Sequence, residues 1–201
     1  MKANNLMFSD DEIIKLIKKG KTQNFEIIIN RYNKKILNFI NRMIFDYDES
    51  QNISQDVFLK VYENLNRYKM EGNFQAFIFR IAKNLTLNYI KKRKRVIFFS
   101  EHFSNTVEGK YFRYESTQHE NIENKRKEEL LVLSIMELKE NQRIALILKV
   151  YLDFSYKNIS KITGWSIPKI ETLISRAKKS LKNKIFLQEN KDKNVYKVRG
   201  K

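Results

Sequence analysis

Cysteine is absent from this chain of 201 residues, and glycine and proline are scarce. Without cysteine, disulfides and cysteine-ligated metal sites are excluded, and a reducing compartment such as the cytoplasm is the expected location. The sequence holds five glycines and one proline. Because these two residues are the main helix breakers, we expect long uninterrupted helices.

Long hydrophobic runs are missing as well. No stretch approaches the roughly 20 apolar residues that a transmembrane helix needs, and residues 1–8 lack the apolar core of a secretory signal peptide. Apolar residues still make up 42% of the chain, so one large domain or two small ones can bury a core. We therefore expect a globular protein that acts in the cytoplasm.

Acidic residues are too few to balance the basic ones. Lysine and arginine number 40 against 23 aspartates and glutamates, so the formal net charge is +17. Basic side chains displace condensed counterions from phosphates, so this excess favours a polyanionic partner such as nucleic acid. Charge by itself leaves open a basic protein that has no such partner.

Apolar residues spaced three and four apart predict an all-α fold. Ser9 and Glu12 form the pattern of a capping box at the start of the first helix, and Gly20 can end that helix. A polar break is expected at Asp46–Ser50 and a loop at Arg67–Asn73. The helices of the first half are expected at residues 10–19, 25–43, 53–65 and 74–95.

The segment 97–124 loses this periodicity and carries both histidines together with several glutamates. We interpret it as a flexible linker with little fixed structure. Helical spacing then resumes, and the polar, basic C-terminal residues are expected to fray. The sequence thus predicts two small helical domains, at residues 9–95 and 127–187, with a linker at 96–126 and a basic tail at 188–201.

A helix-turn-helix is the strongest local pattern in the second domain. Ser155 can cap a short helix, Gly164 allows a tight turn, and Ser166 can cap a longer helix with Pro168 in its first turn. The second helix of such a motif lies in the major groove of DNA. Its exposed side is expected to carry Lys169, Thr172, Ser175, Arg176 and Lys179. The alternative is a plain helical hairpin with a solvated polar face.

Basic and aromatic residues are interleaved between positions 67 and 95. The basic ones are Arg67, Lys69, Arg80, Lys83 and the run Lys91–Arg95, and the aromatic ones are Tyr68, Phe74, Phe77, Phe79 and Tyr89. Basic charge holds a nucleic-acid backbone and aromatic rings stack on exposed bases, which suits single-stranded or melted DNA. The alternative is that these rings, Phe74 and Phe77 above all, belong to the core.

Sequence patterns of catalysis are missing. His102 and His119 lie in the predicted linker, and neither H-E-x-x-H nor G-x-S-x-G occurs in the chain. We therefore expect a protein that is not an enzyme, with no catalytic residue, no metal site, no cofactor and no small-molecule substrate.

Two blocks of the sequence resemble the extracytoplasmic-function (group IV) members of the sigma-70 family. The block that resembles sigma region 2 consists of Ser54–Leu59 and Phe74–Asn84. The block that resembles sigma region 4 consists of Leu138, Gln142-Arg143, Ser155–Ser160, Gly164 and Arg176–Leu181. They occur in the family's order, and the resemblance extends over residues 9–95 and 127–185.

The resemblance implies a sigma factor, the subunit that carries core RNA polymerase to promoters and helps to open them. The residues that match the surface for the polymerase clamp helices are Gln55, Asp56, Phe58 and Leu59. Those that match the part that opens and reads the −10 element are Arg67, Lys69, Asn73, Phe77, Arg80, Lys83 and Asn84. Those that match the −35 reader are Ser166, Lys169, Glu171, Thr172, Ser175, Arg176 and Lys179, with Lys149 as a phosphate contact before it.

The implied partners are core polymerase, through its clamp helices and flap, promoter DNA, and a cognate anti-sigma factor. The chain departs from the family pattern at several positions. Phe77 stands where members usually carry tryptophan, and Glu171 stands where a basic residue is common. Glu171 can accept a hydrogen bond from cytosine N4, or it can be a solvated helix residue. The loop Tyr68–Gly72 lacks the Asp-Pro often found there, which leaves the −10 sequence preference open.

Two other classes of function compete with this interpretation. A stand-alone helix-turn-helix regulator would bind its operator without polymerase, but it would have no need of the block at residues 53–84. A nucleic-acid enzyme or RNA-binding accessory protein would need an acidic metal-binding cluster or aromatic residues on a sheet, and the sequence indicates neither.

Overall fold

The computed structural model describes residues 8–70, 72–101 and 130–199, with side chains described in 8–70, 72–94 and 130–186. This part of the chain is helical and contains no strand, which confirms the predicted all-α class. The helices are α1 Asp10–Lys18, α2 Phe25–Ile44, α3 Tyr47–Asn64, α4 Phe74–Glu101, α5 130–136, α6 Glu140–Leu146, α7 Tyr156–Thr163 and α8 Ile167–Arg199. Two 3₁₀ turns, Thr22–Asn24 and Leu65–Arg67, and a π-helical turn, Ile147–Tyr151, complete the list.

The contacts divide the chain into two compact units. The first contains α1–α4, and the second contains α5, α6, α8 and most of α7. The finer boundaries expected from the sequence, at residues 95, 126 and 187, stay predictions. Most of the predicted linker, residues 102–126, lies outside the described residues, as do His102 and His119.

The first unit is held together by the apolar faces of α2, α3 and α4. The fully or almost fully buried side chains are Ile28, Ile36, Phe39 and Ile40 on α2, Val57 and Val61 on α3, and Ile78, Phe79 and Ala82 on α4. Phe39 packs edge-on against Phe79, with ring centroids 5.9 Å apart. These positions repeat every three or four residues, so the sequence periodicity alone directs one face of each helix inward.

α1 begins with the predicted capping box. The Ser9 Oγ accepts the Glu12 backbone N–H at 3.3 Å, and the Glu12 carboxylate accepts the Ser9 backbone N–H at 2.7 Å. The Ser9 hydroxyl also donates to the Glu12 carboxylate, at 2.8 Å. The backbone N–H and then the hydroxyl of Ser9 lower the pKa of Glu12 by hydrogen bonding to its carboxylate. Ile13, Ile14 and Ile17 are buried. The box therefore fixes where α1 starts and which face it turns to the core.

Removing the capping hydroxyl should weaken the first unit measurably. We expect Ser9→Ala to lower the free energy of unfolding by about 1 kcal/mol, because an N–H at the start of α1 loses its acceptor. Urea denaturation followed by circular dichroism measures the change. Ser9→Asp is the control, since aspartate caps as well as serine does. An unchanged urea midpoint in Ser9→Ala would show that the cap contributes nothing to stability.

The polar break predicted at Asp46–Ser50 is wrong, because α3 already begins at Tyr47. Asp46 is the cap, and its Oδ1 accepts the Glu49 N–H at 3.2 Å. Acidic residues in a first turn interact favourably with the helix dipole, so polar composition did not mean a loop here. The chain turns instead at Phe45, whose φ of 53° lies in the left-handed region.

Two helices are longer than predicted. α4 continues to Glu101 rather than ending at Arg95, so the first residues of the predicted linker are helical. α8 continues to Arg199, so the tail predicted to fray from residue 188 is helical over most of its length. Neither extension contains glycine or proline. The apolar stripe of each helix ends before the helix does, because backbone hydrogen bonds can continue without a buried face.

The second unit has its own core. Its buried side chains include Ile144, Leu148, Ile159, Ile170 and Ala177. The Arg143 guanidinium closes the end of α5 from within this unit, donating from Nη2 to the carbonyls of Met136 at 2.5 Å and Leu138 at 3.3 Å. Burial lowers the pKa of Arg143. This arrangement gives Arg143, part of the region 4 resemblance, a structural role.

Candidate nucleic-acid and polymerase interface

An open groove of about 710 Å³ lies between α2 and α3. Its lining is mostly apolar, with polar side chains at intervals. The lining residues are Phe25, Ile29, Asn33, Leu37, Gln51, Ser54, Gln55, Phe58, Leu59 and Tyr62. We call this surface the α2–α3 groove. It contains three of the four residues predicted to contact polymerase, and Asp56, the fourth, is exposed on the same helix.

The rim of the α2–α3 groove exposes large apolar side chains. Leu59 is 63% exposed and Tyr62 is 44% exposed. Phe58, by contrast, is 7% exposed, and its ring lies edge-on to Phe25 with centroids 6.5 Å apart. Phe25 also packs against Tyr62 at 5.1 Å. Phe58 therefore belongs mainly to the wall of the groove, whereas Leu59 and Tyr62 are available to a partner.

The α2 side of this groove was missed by the sequence reasoning. Phe25, Ile29 and Leu37 belong to the helix predicted at residues 25–43, for which the sequence indicated no partner; all three are half-buried and line the groove. The spacing of four and eight residues between them places them in one row along α2. That row could have been found as an apolar ridge beside the main buried stripe.

The loop between α3 and α4 is fastened to α1. The Tyr68 hydroxyl donates to Asp11 Oδ1 at 2.7 Å, and the Gly72 N–H donates to Asp11 Oδ2 at 2.8 Å. The same hydroxyl accepts the Asn73 N–H at 3.2 Å. At the other end of α1, Lys18 Nζ donates to the Tyr68 carbonyl at 3.0 Å. Burial, and then the hydrogen bond to Asp11, raise the pKa of Tyr68.

The residues predicted to open and read the −10 element lie on this loop and on the first part of α4. Arg67, Lys69, Arg80 and Asn84 are exposed, and Asn73, Phe77 and Lys83 are half-buried. Burial, and then the nearby Arg80, lower the pKa of Lys83. Glu71 lies outside the described residues. The described part of the segment therefore presents several basic and amide groups with no described acid among them.

Phe77 belongs to an aromatic cluster and is still reachable from solvent. Its centroid lies 5.2 Å from that of Tyr68 and 5.9 Å from that of Phe74, with tilted rings. Phe74 is buried, as the core alternative expected, and is 1% exposed. Phe77 is half-buried, so one side of its ring packs on the cluster while part of it stays open.

The predicted helix-turn-helix is formed by α7 and α8. Ser155 Oγ accepts the Asn158 N–H at 3.2 Å, which caps α7. Gly164 ends α7 with a φ of 76°, in the left-handed region that favours glycine. Ser166 directly precedes α8, and Pro168 lies in its first turn. Sequence signals at these four positions thus determined the local geometry.

The exposed face of α8 carries the residues predicted to read the −35 element. All of them are exposed: Ser166, Lys169, Glu171, Thr172, Ser175, Arg176 and Lys179. Ile167 is 43% exposed although it is apolar, because it lies at the start of the helix, ahead of the stripe that packs inward. The Thr172 hydroxyl donates to the Pro168 carbonyl at 2.8 Å.

Two lysines of this unit lie over aromatic rings. Lys169 Nζ is 5.4 Å from the centroid of Trp165, and Lys149 Nζ is 5.7 Å from that of Tyr156. Lys149 also pairs with Asp153 at 3.2 Å. It lies in the π-helical turn Ile147–Tyr151. The face of an aromatic ring attracts a nearby cation, so each ammonium group has a favourable position beside its ring.

The described part of the chain contains no candidate metal-binding site. Within residues 8–70, 72–101 and 130–199, no group of three or more histidines, aspartates or glutamates is placed to hold an ion. Among the helices of these same ranges, none is both long and apolar enough to cross a membrane.

Comparisons with protein families agree with this division of the chain. A family model described as Sigma-70 region 2 matches residues 28–96, and one described as Sigma-70, region 4 matches residues 128–181. Together they span more than half of the sequence. The chain belongs to the sigma-70 family. Its function is that of an RNA polymerase sigma factor, and the stand-alone regulator is not favoured, because region 2 is present beside the helix-turn-helix.

Curated relatives of this sigma factor cover most of its length. The ECF RNA polymerase sigma factor SigW of Bacillus subtilis is 26% identical over 178 residues, covering 86% of this chain and 94% of the relative. The RNA polymerase sigma-H factor of Pseudomonas aeruginosa is 25% identical over 189 residues, covering 86% and 91%. The ECF RNA polymerase sigma-E factor of Haemophilus influenzae is 23% identical, covering 88% and 95%.

Two solved structures share the fold. CnrH, in complex with the cytosolic domain of CnrY, has a TM-score of 0.66 and 16% identity, covering 90% of this chain and 99% of that one. The sigma factor RpoE of Bartonella quintana, in complex with the anti-sigma factor NepR, has a TM-score of 0.67 and 21% identity, covering 81% and 97%. At these identities the likeness supports the all-helical fold.

Proposed function

We propose a division of labour among the surfaces of this sigma factor. The α2–α3 groove binds core RNA polymerase. The α3–α4 loop and the first part of α4 open and read the −10 element. The exposed face of α8 reads the −35 element, and Lys149 contacts a phosphate beside it. The polymerase supplies catalysis, nucleotides and metal, and this subunit has no catalytic residue of its own.

The α2–α3 groove supports the first assignment. Exposed apolar side chains at the rim of a long groove are the kind of surface that receives a helix from a partner protein. Gln55, Gln51 and Asn33 supply hydrogen-bonding groups between the apolar residues. The groove has the chemistry of a helix-binding interface and not that of a phosphate-binding one, because its lining contains no lysine or arginine.

The loop and α4 support the second assignment. Arg67, Lys69 and Arg80 are exposed cations that can hold a DNA backbone, and Phe77 offers part of a ring on which an unpaired base can stack. The exposed amide of Asn84 can hydrogen-bond to a base edge. Cations and a stacking ring on one segment suit a strand that is being separated from its complement.

The exposed face of α8 supports the third assignment. This face is the observation that best explains sequence-specific binding to a duplex. Arg176, Ser175 and Thr172 lie opposite the buried stripe of Ile170, Ile174 and Ala177. A recognition helix presents such side chains to base edges in the major groove. Arginine pairs best with guanine, and the acceptor oxygens of Glu171 suit cytosine N4.

The partners and location follow from the same assignments. We propose that the protein acts in the cytoplasm, where core polymerase and the chromosome are found. The anti-sigma factor NepR in the RpoE complex supports a cognate anti-sigma factor for this chain as well. By this proposal the anti-sigma factor competes with core polymerase for the α2–α3 groove. The second unit would also contact the polymerase flap.

Promoter binding should depend on core polymerase. We expect the isolated protein to bind promoter duplex weakly, because the −10 contacts form only when polymerase holds the strands apart. Core polymerase should confer tight binding that a scrambled duplex of the same length does not show. Fluorescence anisotropy with and without core polymerase, at one fixed salt concentration, measures both affinities. Tight, sequence-specific binding without polymerase would contradict the proposal and restore the stand-alone regulator.

A further inference from the structure

We infer that Asp11 is a positioning residue for promoter opening: it holds Tyr68, Gly72 and Asn73 of the α3–α4 loop in the conformation that meets the −10 element. The inference rests on the proposed function of that loop. α1 lies before residues 28–96, where the region 2 match begins. Nothing in that match therefore gives α1 a role, and the role comes from the contacts of Asp11 alone.

One carboxylate ties down two points of the loop. Asp11 accepts the Tyr68 hydroxyl at 2.7 Å with one oxygen and the Gly72 N–H at 2.8 Å with the other. The residues that it joins are 57 and 61 positions away in sequence. Hydrogen bonds to an ionised acceptor are roughly twice as strong as neutral ones. Both oxygens of Asp11 are thus committed to the loop.

Tyr68 extends these hydrogen bonds from Asp11 to Asn73, the residue before α4. Its hydroxyl donates to Asp11 and accepts the Asn73 N–H, so a single oxygen bridges the two ends of the loop. Its ring is buried against Phe74 and Phe77, at 5.3 and 5.2 Å. A displacement of Asp11 would therefore be passed on to Phe77, the ring proposed to stack on an unpaired base.

The backbone conformation of Gly72 also favours the contact with Asp11. Its φ of 67° lies in the left-handed region, where glycine is unstrained, and this conformation directs its N–H to Asp11. Asp11 itself lies in the first turn of α1, where the helix dipole favours a negative charge. A fixed anion and a glycine turn together make a preorganised loop, which binds its target without first being ordered.

Asp10, the neighbouring acid, provides a matched control. Its carboxylate accepts from Arg31 Nη1 at 2.5 Å and from the Tyr32 hydroxyl at 2.5 Å, both on α2. Asp10 and Asp11 thus occupy the same turn and carry the same charge. One fastens α1 to α2, and the other fastens α1 to the loop. Both variants should lose some general stability, but only Asp11→Asn removes a hydrogen bond to the loop itself.

The test uses holoenzyme assembled from the full chain and core polymerase. A promoter is first recovered by transcribing genomic fragments, and 2-aminopurine is then placed in its −10 region to report strand opening. Asp11→Asn keeps the shape of the side chain but has one acceptor oxygen instead of two. We expect it to slow opening roughly tenfold, while affinity for core polymerase stays unchanged and Asp10→Asn opens at close to the wild-type rate.

Two further measurements separate positioning from stability. On a template whose −10 region is already mismatched, Asp11→Asn should still show a changed preference among −10 bases, which a purely structural defect would not produce. Tyr68→Phe keeps the ring and removes the hydroxyl. The double variant Asp11→Asn/Tyr68→Phe should open the promoter only slightly more slowly than Asp11→Asn, because both substitutions remove the same hydrogen bond.

The outcomes are distinguishable. Opening by Asp11→Asn at the wild-type rate, or equal defects in Asp11→Asn and Asp10→Asn, would overturn the inference and leave the proposed function standing. Failure of the wild-type holoenzyme to open any recovered promoter would overturn the proposed function and the inference with it. A defect confined to Asp11→Asn and Tyr68→Phe supports both.

Discussion

Leu59→Asp should abolish the binding of core RNA polymerase while the protein stays folded. Leu59 is 63% exposed on the rim of the α2–α3 groove, so the fold does not depend on its burial. A carboxylate there would have to be desolvated against an apolar partner. If Leu59 is a hot spot of the interface, its removal costs at least about 2 kcal/mol, which is roughly a thirtyfold loss of affinity. An unpaired buried charge costs more.

Lys60→Ala is the matched control for this experiment. It changes the net charge by the same one unit, at the next position of α3, and its side chain makes only an exposed pair with Glu63. Titration of labelled protein with core polymerase should therefore separate the two variants clearly. Equal affinity of Leu59→Asp and the wild type would show that the α2–α3 groove is not the polymerase-binding surface.

Phe58→Ala would be the weaker choice, although Phe58 was predicted to contact polymerase. Its ring is almost fully buried beside Phe25, and truncation of a buried phenylalanine costs about 3–5 kcal/mol of stability. A loss of polymerase binding in that variant would have two explanations. Leu59 and Tyr62 offer the same surface without this ambiguity.

Arg176→Ala should weaken recognition of the upstream promoter element by about 1–3 kcal/mol, if the guanidinium reads a base. Arg176 is exposed on the face of α8 opposite its buried stripe. The loss should also be selective. One base position of the −35 element should become tolerant of substitution, whereas a phosphate contact would weaken all sequences equally. Competition among single-base variants of the promoter, with holoenzyme, measures this pattern.

Lys178→Ala is the control for the second experiment. It removes one positive charge from the same exposed helix, from a position rotated by about 200° around the axis. The single tryptophan, Trp165, lies beside the start of α8 and reports on the local fold of each variant through its emission. Equal loss of binding in both variants would mean that Arg176 contributes charge and no base readout.

Local signals in the sequence were sufficient for much of the fold. The Ser9–Glu12 capping box, the Ser155 cap and the glycine at position 164 depend on neighbours within a few residues, and each was found where the pattern placed it. The apolar periodicity of α2 and α8 identified their buried faces for the same reason. Such features need no knowledge of which helix packs on which.

Features that depend on distant residues were not predictable in this way. The α2–α3 groove combines Phe25 with Tyr62 across two helices, and the Asp11–Tyr68 hydrogen bond joins positions 57 residues apart. The periodicity of apolar residues identifies the exposed face of a helix, but it does not identify the helix or loop that packs beside that face. The site residues taken from the family resemblance stay predictions, and the structure contributes their exposure, which makes Leu59 and Arg176 more informative targets than Phe58.

The π-helical turn at Ile147–Tyr151 can tolerate the loss of one residue. A π-turn is an α-helix with one residue more than a regular turn requires. Loss of one residue there leaves an ordinary α-turn, so the helix can absorb a one-residue deletion that would rotate every later side chain by about 100° elsewhere in an α-helix. Deletion of one residue at this turn is therefore a change that can redirect the Lys149 side chain while α7 and α8 keep the buried core that they share.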